Sequence, residues 1–512
     1  MKIAVNVSWM TPGRAGGMEW YVRAVIEELA QIDTKNDYLL ITSDLNDDTF
    51  EPPSARWSKL RYLGGETDPV SYRRMPAPHP AHSPPHLDQM LRAAGVDLLF
   101  CPLLYSLPQV HDIPTVVTIP DLQHRGLPEL FDSFELGSRN VGFPESINAA
   151  TAVLGISDHV ASEIRREYGV KSNKVVSTPL GLSSEFTTDA DLVRQYKNSA
   201  LAEYSIEGRY LFFPGNAWPH KNHAGLIAAF EKVLETTPDV NLVLTGSDAV
   251  AALVPPRLSS SIQHLGYVSR EELIGLTSGA EALVFPSLFE GFGLPLLEAM
   301  AVQTPILCSD LPTLREVGGD IPSYFDPESL SSIAGSISDF LASPEEAERQ
   351  LATMPAQLKK FSYRNTAIRT LEVFNEIESG ARVAPEPRVR PNRPLDGNSN
   401  LSDGLARWRV HAGDATDVEV ELVAAAHTPD GRSRIPTRVA ISVDGVVVGE
   451  LTLEPGGISR TVKAPVPAWL NTGDMIEVEL QDISHPHAAY SSVVRVARLL
   501  VRDAFHGEMR LI

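Results

Sequence analysis

Short apolar runs alternate with longer segments of helical periodicity along the first three quarters of the chain. Runs of this length suit buried strands, and their alternation with helices is typical of α/β domains built on parallel sheets. A first block contains six runs, at Lys2–Ser8, Tyr38–Thr42, Leu98–Cys101, Thr115–Ile119, Ala152–Ile156 and Val175–Thr178. A second block contains five, at Tyr210–Phe213, Asn241–Leu244, His264–Leu265, Ala282–Phe285 and Pro305–Cys308. The pattern predicts two Rossmann-like, doubly wound domains, at residues 1–195 and 205–361.

Residues 362–378 follow the second block and have apolar or small side chains at helical spacing. These side chains belong to Tyr363, Ala367, Leu371, Phe374 and Ile377. Such spacing predicts an amphipathic helix with one buried side.

The last quarter of the chain has a different pattern. Residues 381–400 contain four prolines and four arginines, a composition typical of a stiff extended linker, although the arginines could also contact lipid or an anionic polymer. Beyond it, Asp444-Gly445 between two alternating runs is a strong hairpin signal. The alternating runs are Val418–Leu422, Arg438–Val443, Val446–Leu453, Met475–Leu480 and Ser492–Leu500. They predict an all-β sandwich over residues 401–512.

Composition narrows the classes of function. The 512 residues have a net charge of −21, which argues against nucleic acid as a partner because phosphate binding needs a basic face. Cys101 and Cys308 both adjoin apolar runs, so we expect buried reduced thiols. The N-terminus does not resemble a signal peptide, and the chain has no apolar run of about 18 residues that would suit a membrane span. We therefore expect a cytoplasmic enzyme with at most peripheral membrane contact.

The most informative stretch is Phe285 to Met300, which joins the end of an apolar run to the start of a predicted helix. Gly291 and Gly293 permit positive φ and a close approach of a ligand to backbone, and Pro295 suits the first turn of a helix. A helix N-terminus attracts anions. The segment Gly291-Phe292-Gly293-Leu294 therefore predicts a turn that holds a phosphate group.

Glu290 and Glu298 flank this turn, eight residues apart. A carboxylate accepts hydrogen bonds without donating them, so Glu298 suits a pair of ribose hydroxyls and Glu290 suits the hydroxyls of a sugar. Glutamates near a helix start are also favoured by the helix dipole alone. The glycine turn between the two glutamates favours ligand binding over this explanation. The segment therefore predicts a nucleotide-sugar site.

A second polar cluster follows the apolar run that ends at Phe213 and includes Asn216, His220, Lys221 and Asn222. Asn222 is in a position to cap the next helix. Lys221 opposes the macrodipole there by about 0.3–1 kcal/mol, which a neighbouring anion would offset. Lys221 would then stabilise a departing diphosphate, unless it is an ordinary surface lysine.

The two glutamates and their glycine turn resemble the E-x7-E motif of the retaining glycosyltransferases of family 4, which have the GT-B fold. The resemblance spans about residues 1–378. It implies two Rossmann-like domains facing a cleft, with the helix at 362–378 crossing back onto the first domain. It also implies transfer from a nucleoside-diphosphate sugar with retention and with neither a metal nor a cofactor.

The resemblance also implies a set of site residues. The nucleobase would lie near Tyr267 and Val268, and Gly16-Gly17 would approach the donor phosphates across the cleft. The complete donor-binding set is Gly16, Gly17, Asn216, Lys221, Tyr267, Val268, Glu290, Gly291, Phe292, Gly293, Leu294 and Glu298. The catalytic set is Glu290, Lys221, Asp121 and His124.

Two positions depart from the family pattern. Asn216 stands where an arginine usually accompanies the lysine, and Pro120 stands where many members have a histidine. Asp121 and His124 are then the candidates to orient the sugar or the acceptor hydroxyl. Their alternative role is to bind neighbouring backbone in a loop.

Two other motifs have residue types that can bind metal ions, but a metal site is not the favoured interpretation of either. Asp189-Ala190-Asp191 has the D-x-D form of a different glycosyltransferase fold, but no buried strand precedes it, and a helix cap is the favoured interpretation. His79, His82 and His86 lie in a proline-rich loop without an accompanying cysteine or aspartate.

The runs Asp121-Leu122-Gln123-His124 and His220-Lys221-Asn222-His223 resemble the branch that builds bacterial surface polysaccharides, often from GDP-mannose. We therefore expect a hexosyltransferase, with mannose as the favoured sugar and a glycan or lipid-linked oligosaccharide as acceptor. Rhamnose, glucose and N-acetylglucosamine stay open. The alternative is a catalytically impaired nucleotide-sugar-binding or scaffold protein whose β-sandwich binds glycan.

Overall fold

A computed structural model describes residues 1–13, 16–62, 87–106, 113–131, 133–183, 186 and 189–382, together with eight strands beyond residue 404. The two parallel sheets lie in one compact unit, and the strands beyond residue 404 lie in another. The predicted His79, His82 and His86 loop, the 383–400 part of the linker and the Asp444-Gly445 turn lie outside the described residues.

The first sheet is parallel and has seven strands in the order β3-β2-β1-β4-β5-β6-β7. Their bounds are β1 Lys2–Asn6, β2 Asp37–Ser43, β3 Trp57–Tyr62, β4 Leu98–Cys101, β5 Thr115–Ile119, β6 Ala152–Gly155 and β7 Val175–Ser177. The helices among them are α1 Gly17–Ile32, α2 Leu87–Ala93, α3 Gln123–Gly126, α4 Ser133–Ala149 and α5 Asp158–Tyr168. Apolar side chains on the helices and strands form the buried core of this domain.

The second sheet is also parallel, with six strands in the order β10-β9-β8-β11-β12-β13. Helix α6, Ala190–Glu203, precedes it, and its strands are β8 Arg209–Pro214, β9 Val240–Thr245, β10 Ile262–His264, β11 Ala282–Phe285, β12 Ile306–Ser309 and β13 Ser323–Phe325. Its helices are α7 His223–Leu234, α8 Asp248–Ala251, α9 Arg270–Gly279, α10 Leu294–Ala301, α11 Pro312–Gly318, α12 Leu330–Ala342 and α13 Pro344–Leu358.

Strands β8 and β11 are neighbours in the middle of the second sheet. After β8 the chain adds β9 and β10 on one side, and after β11 it adds β12 and β13 on the other side, so the strand order reverses between β8 and β11. Ligands of open α/β sheets bind at such a point, beyond the carboxyl ends of the strands. The loops that leave β8 and β11 carry Lys221 and Glu290, so the fold brings these two loops together at the switch point.

The predicted strands of the first two blocks are all present, with ends that shift by a few residues. Ala282–Phe285 agrees at both ends, whereas the run expected at His264–Leu265 is the strand Ile262–His264. The sequence pattern missed β3 and β13, which lie at the sheet edges. Edge strands have fewer buried positions, and β3 includes exposed and half-buried residues that weaken its apolar signal.

The helix expected at 362–378 is α14, Tyr363–Glu378, and the Ser362 hydroxyl caps it by accepting the Asn365 N–H at 3.2 Å. It packs against the first domain. The Arg369 guanidinium donates to the Ser177 carbonyl at 3.0 Å, and the Phe374 ring packs edge-on to Phe100 with centroids 5.4 Å apart.

The chain passes between the two domains at neighbouring places. Leu182 and Ser362 form an isolated parallel β-bridge, which joins the outgoing passage to the returning one. A β-carbon placed on Gly181 would lie 2.1 Å from the Tyr363 nitrogen, so glycine is required for this close contact. The predicted boundaries at residues 195, 205, 361 and 401 stay predictions.

The strands beyond residue 404 form two antiparallel sheets of four, in the orders β14-β19-β16-β17 and β18-β15-β20-β21. Their bounds are β14 Leu405–His411, β15 Ala415–Ala424, β16 Thr437–Val443, β17 Val446–Leu453, β18 Ser459–Pro465, β19 Met475–Asp482, β20 Val494–Asp503 and β21 Met509–Leu511. The all-β character agrees with the sequence pattern, and packing of the sheets into a sandwich stays a prediction. In the described part of the chain, no helix combines the length and apolar character that a membrane span requires.

We expect Phe374→Ala to lower the free energy of unfolding by about 3–5 kcal/mol, because it removes a fully buried ring from the contact between α14 and the first sheet. Ile368→Ala on the same helix is the control, since Ile368 is 39% exposed. Thermal and denaturant unfolding would measure both variants. Equal effects would contradict the docking of α14.

Candidate active site

The glycine turn after β11 has the predicted strand-turn-helix form. Gly293 is the N-cap of α10 with φ 112°, a left-handed conformation that favours glycine, and Pro295 lies in the first turn. Gly291 does not have the positive φ that the sequence suggested. Its constraint is space, because a β-carbon there would lie 2.3 Å from the Pro120 carbonyl oxygen of the first domain.

Lys221 and Glu290 form an ion pair, with 2.6 Å between Nζ and Oε1. Their side chains are 16% and 12% exposed, so the pair is largely shielded from water. The ammonium also lies 5.0 Å from the centre of the Phe285 ring. A lysine ammonium has three N–H donors, so Lys221 can bind a further anion while it remains paired with Glu290.

The loop after β8 holds Lys221 by backbone contacts. Residues Pro219–Lys221 form a 3-10 turn, and Asn222 follows in the left-handed conformation with φ 57°. Asn222 occupies the N-cap position of α7, but its side chain does not cap the helix as expected. Its amide instead donates to the carbonyls of Pro286 and Pro327, at 3.2 and 2.9 Å, and ties the Lys221 loop to the Glu290 loop.

His220 connects the same two loops, since its carbonyl accepts the Leu288 N–H at 2.7 Å. Burial and the neighbouring Lys221 charge lower the pKa of the His220 imidazole to about 4, despite the opposing charges of Glu290 and Asp121. The imidazole is therefore neutral at pH 7. Lys221 supplies the positive charge at this point, and His220 does not add to it.

Glu298 lies one turn inside α10 and pairs with Arg270, with 2.9 Å between Nη1 and Oε1. The Arg270 guanidinium packs over the rings of Phe186 and Trp20, at 4.9 and 5.6 Å from their centres. Trp20 belongs to α1 of the first domain. The position of the Glu298 carboxylate is thus fixed by an arginine that reaches across to the other domain.

Two further glycine loops meet beside Asn216. The Gly246 N–H donates to the Gly266 carbonyl at 2.8 Å, and a β-carbon on Gly246 would lie 2.2 Å from the Gly215 oxygen. The Asn216 amide oxygen accepts the Ser247 N–H at 3.2 Å. Asn216 therefore joins two loops in the place where a family arginine would carry charge.

Tyr267 and Val268 differ in exposure. Tyr267 is 75% exposed and accessible to a ligand, whereas Val268 packs against the core of the donor domain. Both lie on the loop that precedes the capping box Ser269–Glu272 of α9.

The first domain places the predicted glycine pair opposite the donor turn. Gly16 has φ 55° and precedes α1, and a β-carbon on Gly17 would lie 3.1 Å from the Leu294 side chain. Asp121 follows β5 and accepts the Gln123 N–H at 3.0 Å. A β-carbon on Gly291 would lie 3.3 Å from the Asp121 side chain, so the structure brings Asp121 to the Glu290 turn.

His124 is a buried side chain. It is 1% exposed, its ring packs edge-on to Phe143 at 4.8 Å, and its Nε2 lies 3.5 Å from the Tyr168 hydroxyl. A side chain this buried does not contact a ligand in this conformation. The sequence placed His124 near the cleft because it follows Asp121, but the short helix Gln123–Gly126 turns its side chain into the core.

Three polar residues make contacts between the domains that the sequence did not predict. Arg270 holds Glu298, Ser157 donates to the Gly291 carbonyl at 2.9 Å, and Glu316 accepts two N–H groups of the first domain. Ser157 does precede a helix as a capping residue would, which is a visible signal. Arg270 and Glu316 have no comparable signal, because their partners are far away in the sequence.

The remaining metal motif has a structural explanation. The Asp189 side chain caps α6 by accepting the N–H groups of Asp191 and Leu192, each at 3.0 Å. Among the residues described by the structure, no cluster of three His, Cys, Asp or Glu side chains could hold a metal ion.

Comparison with known proteins adds family information. Residues 15–186 match the model of Glycosyltransferase Family 4, and residues 203–353 match that of Glycosyl transferases group 1. The O-antigen chain mannosyltransferase B of Escherichia coli is 31% identical over 271 residues, which cover 51% of this chain and 69% of the relative. The O-antigen chain mannosyltransferase RfbU of Salmonella typhimurium is 29% identical over 208 residues, 40% of this chain and 55% of the relative.

The fold also resembles that of WaaG, a glycosyltransferase involved in lipopolysaccharide biosynthesis. The similarity has a TM-score of 0.52 at 13% identity and covers 74% of this chain and all of the WaaG chain, 100%. At this level of identity the similarity concerns the fold alone. It agrees with the GT-B arrangement of two parallel sheets.

We expect Gly291→Ala to lower the free energy of unfolding by about 1–3 kcal/mol, because the new methyl group would collide with the Pro120 carbonyl. Gly335→Ala is the matched control: a β-carbon there meets nothing within 4 Å, and its position in α12 favours alanine. Denaturant unfolding would compare the two. A tolerated Gly291→Ala variant would contradict the close contact.

The half-buried His220 and the buried His223 predict a pH dependence of stability. Burial lowers the pKa of His220 and His223 from 6.5 to about 4. The folded chain then binds fewer protons than the unfolded chain, so the free energy of unfolding should fall as the pH falls from 6.5 towards 4. Unfolding measured across this range should show a shallower slope for His220→Gln and His223→Gln; an unchanged slope in both would contradict the assignment.

Proposed function

The chain belongs to glycosyltransferase family 4, and from this premise we propose that it transfers a sugar from a nucleoside diphosphate to a glycan or lipid-linked acceptor, with retention at the anomeric carbon. Mannose from GDP-mannose is the favoured donor. The observation that carries the proposal is the shielded Lys221–Glu290 pair at the switch point. It adjoins the glycine turn, whose Gly291 lies against Pro120 and Asp121 of the first domain.

Charge explains how this arrangement would act on a donor. A leaving diphosphate develops negative charge, which fixed cations and N–H groups stabilise best in a site shielded from water. Lys221 is held at such a place by its pairing with Glu290, and the N-terminus of α10 adds backbone N–H groups. These groups supply positive charge without a metal, so we propose a metal-independent reaction.

Glu290 would accept hydrogen bonds from the sugar hydroxyls. The bond between the anomeric carbon and the phosphate oxygen would break while the acceptor oxygen bonds to the same face of that carbon. The proton of the acceptor hydroxyl would pass to the departing phosphate oxygen. Asp121 lies close enough to the turn to orient the acceptor or the sugar.

Glu298 would bind the ribose hydroxyls, because its carboxylate is fixed by Arg270 and still has acceptor capacity. Tyr267, exposed on the neighbouring loop, would contact the nucleobase. The donor would thus lie along the turn, with ribose near Glu298, diphosphate at the Gly291–Leu294 segment and sugar near Glu290.

Mannose is favoured because both O-antigen relatives are named as mannosyltransferases. The same names support the proposal of an acceptor in surface-polysaccharide synthesis. The alternative of an impaired binding or scaffold protein has less support, since Asn216 and Pro120 replace family residues while the Lys221–Glu290 pair is intact.

The proposal is tested by measuring thermal shift and sugar-nucleotide hydrolysis with GDP-, UDP- and dTDP-sugars. We expect Glu298→Ala to weaken binding of the stabilising nucleoside diphosphate, and Glu290→Ala to reduce turnover by about 100-fold or more with little change in nucleotide binding. Glu348→Ala, an exposed glutamate of α13, is the control.

The reverse pattern for Glu290 and Glu298 would contradict the division of roles. Absence of turnover with every donor, in wild-type protein that still binds a nucleoside diphosphate, would favour the binding-protein alternative.

A further inference from the structure

Glu316 of α11 makes a bidentate contact across the cleft. Its Oε1 accepts the Asp158 N–H at 2.7 Å, and its Oε2 accepts the His159 N–H at 2.9 Å. Both N–H groups belong to the first turn of α5 in the first domain. N–H groups in the first turn of a helix have no carbonyl acceptor within that helix. A carboxylate of the donor domain thus completes a helix end of the acceptor domain.

The same helix end reaches the catalytic turn. Ser157, the N-cap of α5, accepts the Val160 N–H and donates its hydroxyl to the Gly291 carbonyl at 2.9 Å. From the other side, the Thr313 hydroxyl of α11 donates to the Glu290 carbonyl at 2.9 Å. Helices α5 and α11 therefore hold neighbouring peptide groups of one turn, and Glu316 joins these two helices.

The contact is partly shielded from water. Burial raises the pKa of the Glu316 carboxyl, and its bonds to the Asp158 and His159 N–H groups oppose that rise. These two hydrogen bonds form only while the first domain lies against α11. The contact therefore depends on the approach of the two domains, unlike the many intradomain ion pairs on the surface.

We propose that Glu316 is a positioning residue for sugar transfer: by binding the N-terminus of α5, it holds the acceptor domain against the Glu290–Gly291 turn in the closed enzyme. The effect on catalysis rests on the proposed function, whereas the effect on domain closure does not. Glu316 touches neither donor nor acceptor. It acts through the placement of Asp121 and the Gly291 turn.

The first experiment compares Glu316→Gln with Glu316→Asp in the full chain. The glutamine keeps the shape but directs an NH2 group at one backbone N–H, so we expect turnover to fall about tenfold to 100-fold. Aspartate keeps both acceptors and should restore part of the loss. GDP affinity should change less than about twofold, because Glu298 and Tyr267, the proposed ribose and nucleobase contacts, lie in the donor domain and do not touch Glu316. Glu348→Gln, the same change at an exposed site, should match wild type.

A second experiment removes the backbone N–H of Asp158, which donates a hydrogen bond to Glu316, and leaves Glu316 intact. Asp158 is the first residue of α5, where proline is well tolerated, and Ser157 before it is extended as a residue preceding proline should be. Asp158→Pro deletes the N–H that binds Oε1, whereas Asp158→Ala keeps it. We expect Asp158→Pro to lower turnover and Asp158→Ala to leave it close to wild type. The double variant Glu316→Gln/Asp158→Pro should lose less than the sum of the single losses.

Closure can be measured without turnover. Lys35 and Ala352 are exposed positions in the two domains. Spin labels on cysteines introduced at these positions would report the interdomain distance by pulsed electron paramagnetic resonance. Native Cys101 and Cys308 are 0% exposed and should not be labelled. With GDP present, we expect a narrow distance distribution in the wild type and an added, longer component in Glu316→Gln and Asp158→Pro.

Unchanged distances and turnover in these two variants would overturn the proposal. So would losses of GDP affinity and melting temperature that match the loss of turnover, since they would indicate a general folding role. If no donor supports turnover in the wild type, the proposed function fails, and the distance measurements alone still decide whether Glu316 holds the cleft closed.

Discussion

The approach of Gly291 to the Pro120 carbonyl is the constraint on which the site depends. At this point the end of β5 in one domain meets the turn after β11 in the other, with no space for a side chain. Three candidate site residues lie around that contact: Asp121 beside it, Glu290 before it, and Lys221 paired with Glu290. A bulkier residue at 291 would separate the two halves of the site rather than change its chemistry.

The contacts of Asn216 and His220 explain how the Lys221 loop differs from the family pattern. Asn216 uses its amide oxygen to hold the Ser247 loop, so its contribution is geometric. His220 is kept neutral by burial and by the adjacent lysine, so it adds no cation in place of the missing arginine. Among the residues that the structure describes in these two loops, Lys221 and backbone N–H groups therefore supply the positive charge at the proposed diphosphate position. The arrangement depends on shielding from water, because one cation is effective only where the local dielectric is low.

The sequence predicted the parts of the molecule that depend on local order. The strand Ala282–Phe285, the Gly293 and Pro295 start of α10 and the returning helix all follow from periodicity and backbone preferences within a few residues. The pattern missed edge strands such as β3, where burial is incomplete. It also missed Arg270 and Glu316, whose partners are brought near only by the tertiary fold. His124 illustrates the same limit, since proximity to Asp121 along the chain does not determine which way a side chain points.

The Leu182–Ser362 bridge and the missing side chain of Gly181 have a mechanical consequence. Two domains joined by one flexible tether could tumble freely, whereas here the outgoing and returning passages lie side by side and are bonded to each other. Such a double connection restricts the relative motion of the two domains more than a single tether would. The position of one half of the site relative to the other is therefore constrained by the backbone of these two passages as well as by side-chain contacts in the cleft.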